Sequence, residues 1–234
     1  MTTSLYDLGN YRTRGFIMNK KLISVILLAL VVLSFAGASR IINLAIGPSF
    51  SYFKGVAPLS DDDPDTNTPY EGKAFGFDAT LSFTFGSHAE IFFEDVFNFS
   101  AKTAFEELGN DNLLATMNYK SYFGYEHALI TGPLKLSIGF AGVIDVVASL
   151  YQFTVGDETY QVMPMVLNIG FGATAKAEFE LLDHLSFYVK ANADYLPFSV
   201  FLLSTQPSDD DPPSWANTTK NINFGASAGL VLFF

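Results

Sequence analysis

Carboxylates and histidines are the groups with which this sequence could hold a metal or move a proton. Asp61, Asp62, Asp63 and Asp65 form one acidic run, and Asp209, Asp210 and Asp211 form a second. Clustered carboxylate oxygens suit a divalent cation. Each run is flanked by Pro and lacks the Gly-centred spacing of a calcium loop, so solvated loop tips are the plainer expectation. The three histidines, His88, His127 and His184, show no spacing that sets two rings on one metal. The absence of Cys removes thiolate zinc sites, cysteine nucleophiles and disulfides together. A net charge of −11 argues against nucleic acid, which needs a basic face. No cofactor and no metal is expected.

The elements that position the remaining charges emerge once a leader is set aside. Met18 opens a stretch in which Lys20 and Lys21 precede the apolar run Leu22 to Phe35, and Ala36-Gly37-Ala38 follows as a small-residue cleavage pattern. These are the parts of a secretory signal peptide. The run is shorter than the ~20 residues of a spanning helix. Residues 1–17 read as an upstream extension from a misplaced start, 18–38 as the signal peptide and 39–234 as the mature domain.

Beyond the leader the sequence repeats with period two, the signature of strands. Ile222, Phe224, Ala226, Ala228, Leu230, Leu232 and Phe234 share one face, against Asn223, Gly225, Ser227 and Gly229 on the other. Phe75, Phe77, Ala79, Leu81, Phe83 and Phe85 oppose Gly76, Asp78, Thr80, Ser82 and Thr84. Similar splits run through 42–52, 134–150, 165–179 and 185–195. Two strands are less regular. In 96–105 we assign Phe97, Phe99, Ala101 and Phe105 outward with Asn98, Ser100 and Lys102 inward. In 117–127, Tyr119, Phe123 and Tyr125 oppose Lys120, Tyr122, Gly124 and Glu126. The alternation does not fix where the third strand starts within "SHAEIFFEDV".

Eight strands result, joined alternately by longer polar connections and by the short links "GSH", "ITGP" and "LDH". "GDETY" is a short exception, which long fifth and sixth strands would explain. This is the layout of an all-β, transmembrane, up-and-down antiparallel β-barrel. A soluble sheet also alternates, but its polar face is rich in Lys and Glu. Here the polar face mixes Gly, Ser, Thr and Asn with isolated charges, which suits the crowded interior of an eight-stranded barrel. A lipid-facing Lys or Arg at midplane costs about 2–4 kcal/mol, and none falls on the apolar faces. Tyr52, Phe75, Phe85, Tyr119, Phe187, Tyr195 and Phe234 are expected in interfacial girdles.

The inward charges are Asp78, Lys102, Lys120, Glu126, Lys135, Asp145, Lys176, Glu178, Lys190 and Asp194. Charges in a lumen must pair or stay wet. They form either a salt-bridged plug or the wall of a narrow polar pore. Glu126, Lys176, Glu178 and Lys190 are the expected core of the network. The histidines all fall at the inner turns, the wrong end for chemistry on surface lipid or peptide, so no enzymatic activity is expected.

A terminal strand carrying Phe224, Leu230 and Leu232 and ending in Phe234 resembles the signal by which bacterial outer-membrane barrels are recognised by their insertion machinery. Signal peptide, eight strands and terminal Phe together resemble the small eight-stranded families, OmpW-like first and OmpA- or OmpX-like next. The resemblance implies an outer-membrane location after export, with lipid and the insertion machinery as partners; the oligomeric state stays open, a monomer being the plainer expectation. OmpW-like relatives imply a narrow, porin-like conduit for small, hydrophobic solutes, for which Phe53, Val143, Val147, Leu196, Val231 and Phe233 would supply apolar inward positions. OmpA- or OmpX-like relatives imply instead a structural or adhesive surface barrel acting through acidic outer loops. With no periplasmic domain after residue 234, peptidoglycan tethering is not expected.

Overall fold

The computed structural model describes residues 42–57, 68–105, 108–155, 158–205, 214–216 and 221–234. The leader and both acidic runs lie outside the described residues. Nine strands form among them: β1 Ile42–Ala57, β2 Thr68–Phe85, β3 Ala89–Ser100, β4 Leu113–Ile130, β5 Leu134–Val155, β6 Glu158–Leu182, β7 Leu185–Thr205, β8 Ser214–Ala216 and β9 Asn221–Phe233. Neighbours pair antiparallel from β1 through β7, and β9 lies between β7 and β1. The three-residue β8 pairs only with the outer part of β7. Eight strands therefore close a ring, as the period of two predicts, and no barrel strand is left with a free edge in hydrocarbon.

The closing contact runs in one register from Asn43↔Phe233 to Lys54↔Ile222. Its pairing lapses only at Gly47 and Pro48, where proline has no N–H to give. β5 and β6 are 22 and 25 residues long. They run past the membrane, which explains their short outer link.

The faces follow from alternation. Ile46, Phe75, Phe93, Phe123, Phe140, Phe171, Phe224, Leu230, Leu232 and Phe234 point outward and are exposed. Asn, Ser, Thr and charged residues of the other phase are buried in the ring. Alternation slips once on β7. Ile169 pairs with Phe198 and Phe171 with Tyr195, so β7 carries one residue more than β6 around Leu196 and Pro197. This β-bulge makes Phe198 outward-facing and Ser199 inward-facing.

Two corrections concern the third strand. It begins at Ala89 and ends at Ser100, not at 105. Past Ser100 the chain leaves the sheet and folds across the outer mouth. Thr103 N–H donates to Asn110 Oδ1 at 2.8 Å, and Glu71 N–H to the Ala104 carbonyl at 2.9 Å. Lys102 is consequently exposed in this connection rather than inside the lumen, and Ala101 lies beside it, outside the strand. Phe105, expected outward, is buried over the lumen beside Tyr70. Tyr119 is also not a strand-end residue: it pairs with Phe97 within the apolar belt.

Candidate functional site

Among the described residues, the lumen is where the strands converge buried polar groups. Seven carboxyls, Asp78, Glu90, Glu94, Glu126, Asp145, Glu178 and Asp194, share it with the four ammoniums of Lys120, Lys135, Lys176 and Lys190. They are sorted into tiers along the axis.

Nearest the inner turns lies an ionic tier. Glu90 on β3 takes Lys135 from β5 at 2.7 Å and Lys176 from β6 at 3.2 Å. Lys176 also reaches Glu126 on β4 at 2.8 Å. Lys190 on β7 lies 3.4 Å from Glu126 and 2.6 Å from Glu94. Its ammonium sits over the Phe92 ring, 4.2 Å from the centroid. Glu178 is buried and directly across from Lys135 in register. Asp78 has no lysine; the Tyr188 hydroxyl donates to its two oxygens at 2.7 and 2.6 Å. Glycine makes space here: a Cβ on Gly139 would lie 2.6 Å from Glu126 Cγ.

Above it, Lys120 pairs with Asp194 at 3.2 Å, and Tyr122 donates to the same carboxylate oxygen at 2.8 Å. Gly172 leaves room for this carboxylate, since a Cβ there would lie 2.5 Å from Asp194 Oδ1. The outer tier is mostly neutral. Asn118 and Asn168 donate to Asp145 at 2.6 and 2.8 Å. Asn168 in turn accepts from Ser199 and Asn221, at 2.5 and 2.9 Å. An apolar cap closes the mouth, built from Phe53, Tyr70, Phe105, Val147 and Val166 with three alanines.

Of the sequence-predicted charges, only Lys102 is outside this interior. Glu126, Lys176 and Lys190 do form its ionic core, with Glu178 beside them. Sequence reasoning missed Glu90 and Glu94, which supply two of the carboxylates the lysines need. Starting β3 at Ala89 would have revealed them, because Glu90, Phe92 and Glu94 then share the inward phase. The six apolar inward residues do not line a continuous track. Phe53 and Val147 belong to the outer cap, Val143 and Leu196 to a middle cluster, and Val231 and Phe233 to a third.

Among the described residues the ionic tier is tightly filled. The cavity in the ionic tier, between Glu90, Glu126, Lys176 and Tyr188, measures about 10 Å³, room for a single water. A wider cleft of about 510 Å³ opens outside the cap, lined by Lys54, Tyr70, Glu71, Lys102, Thr103 and Asn110. The histidines lie at the other end: His88 and His184 in inner turns, and His127 on β4 with its ring stacked 5.9 Å from that of His88.

A closed ring with an apolar exterior, short inner turns and a filled polar interior has one setting in which every backbone group is paired and every oily side chain is solvated. The fold is that of an outer-membrane β-barrel. Comparison with solved structures agrees. OprG from Pseudomonas aeruginosa superposes with a TM-score of 0.56 at 8% identity, covering 84% of this chain and 96% of that one. A major outer membrane protein from Thermus thermophilus gives 0.52 at 11%, covering 80% and 99%. At these identities the likeness is one of fold. No protein-family model and no curated protein sequence matches the chain. The barrel thus sits in the bacterial outer membrane, with its apolar belt in lipid.

Proposed function

We propose that this barrel is a closed, non-enzymatic membrane scaffold that acts from its outer surface, as a structural or adhesive protein presenting acidic loops. The observation that carries this reading is the filled lumen. Three tiers of paired side chains stand between the inner turns and the mouth, and the space left among the ions holds about one water. Outer-membrane lipid solvates the belt. The outward row Phe224, Leu230, Leu232 and Phe234 serves as the signal to the barrel-insertion machinery.

The refolded protein in a planar bilayer tests this directly. A silent bilayer, with cell binding that falls when residues 58–67 and 206–213 are exchanged for neutral linkers, is the expected result. Stable, reproducible single-channel openings would overturn it.

The outer cleft supports a second reading, a narrow conduit for small, hydrophobic solutes. Its floor is Tyr70, and the connection that closes the mouth is tied to the rim through Thr103 and Gly109 to Tyr151, and through Ala104 to Glu71 and Ser149. A conduit would need that connection to swing aside. Shortening residues 101–111 to a tight turn separates the two readings. Continued silence favours the scaffold, whereas openings or solute uptake favour a gated conduit.

A further inference from the structure

One charged side chain sits in the middle of the apolar belt. The outward row of β3 reads Ile91, Phe93, Asp95, Phe97 and Phe99, and Asp95 is its middle member. Asp95 is exposed on the lipid side. Its register partners are Ala79 on β2 and Ser121 on β4. Leu81 and Phe123 flank it on the inner side, and Phe77 and Tyr119 on the outer side. The Tyr119 hydroxyl donates to Asp95 Oδ1 at 2.8 Å. Among the described side chains, the other outward charges lie toward strand ends: Lys54, Glu71 and Lys73 near the outer rim.

A carboxyl within an apolar belt is costly and demands polar partners. Tyr119 serves one oxygen and leaves the carboxyl with further capacity to accept. Copies of one protein share an orientation in the membrane, so a two-fold axis relating them runs along the membrane normal and preserves depth. An axis passing between β3 and β4 sets β3 of one copy against β4 of the other. Asp95, an acceptor, then faces Ser121 of the other copy, and does so twice; within one copy the Ser121 hydroxyl bonds Tyr119, and it turns to the facing carboxylate on association. The phenyl rings of Phe93 and Phe123, which face each other across the same axis, fill the inner flank. Acceptor and donor are register partners on neighbouring strands, so the patch is complementary to itself.

We infer that the lipid-facing surface of β3 and β4 around Asp95 and Ser121 is the contact between two copies of this chain in the bilayer. This goes beyond the surface function proposed above and does not depend on it.

Since the chain has no Cys, a Ser87→Cys variant in an exposed inner turn accepts one dye per copy. Energy transfer between donor- and acceptor-labelled copies in liposomes, followed as lipid is added, reads the association. Transfer should persist on dilution for the parent. Asp95→Leu and Ser121→Val should each weaken association by about tenfold or more, given two symmetric polar contacts. Asp95→Asn, which keeps an acceptor, should retain most of it. Ala191→Leu, an outward change on β7 across the barrel, should leave it unaltered. The heat-induced gel shift of a folded barrel checks that each variant has inserted. A monomeric parent, or an Asp95→Leu barrel that is folded and associates like the parent, would overturn the inference. So would loss of association in Ala191→Leu alone.

Discussion

The inner and outer halves of the lumen are filled by different chemistry. The inner half is ionic: three lysines and three glutamates are linked from Lys135 through Glu90, Lys176, Glu126 and Lys190 to Glu94. The outer half is held by amides, hydroxyls and rings around Asn168 and Phe105. Both fill space, but they fail differently. Deleting one member of a buried ion network leaves a charge without compensation. Deleting an amide such as Asn168 removes an amide donor from the Asp145 carboxylate, which keeps Asn118, and leaves the neutral Ser199 and Asn221 to find new partners. The inner half therefore sets register strictly, while the outer half seals.

The contrast breaks first at Lys190. Lys190→Ala strands Glu94 and leaves Glu126 with Lys176 alone, and should lower stability by about 3–5 kcal/mol, read by denaturant unfolding in vesicles. Asn168→Ala in the outer half should cost about 1–3 kcal/mol in the same assay, from its orphaned partners. A larger loss at Asn168 than at Lys190 would invert the comparison. Coupling sharpens it further. Lys176→Ala and Lys190→Ala share Glu126, so the double variant should depart from additivity by about 0.5–3 kcal/mol, whereas Lys190→Ala with Asn168→Ala should add within about 0.5 kcal/mol. The smallest effect belongs to Lys102. Exposed in the outer connection, Lys102→Ala should change stability by less than about 0.5 kcal/mol. A larger loss would return it to the interior.

Much of this is legible from alternation alone. Period two assigns Lys120, Glu126, Lys135, Asp145, Lys176, Glu178, Lys190 and Asp194 to the lumen because a strand has only two faces. It fails where strands begin, end or slip. In "SHAEIFFEDV", Ile91, Phe92 and Phe93 are all apolar although Phe92 points inward, so the run hides the phase that reveals Glu90 and Glu94. Alternation misplaces Lys102 and Phe105 when it is carried past Ser100, where hydrogen bonding to β4 stops. The β7 bulge is invisible for the same reason: composition does not record which partner a residue faces. Which carboxylate meets which lysine also depends on stagger between strands, which no single segment contains.

The register that joins Leu44 to Leu232 links segments at opposite ends of the sheet's order of synthesis. Contacts so distant along a chain form slowly. Until they form, the growing sheet carries two raw borders whose N–H and C=O groups find no water in hydrocarbon. A half-built cylinder is thus costly inside the bilayer, and its borders need covering until the last strand meets the first.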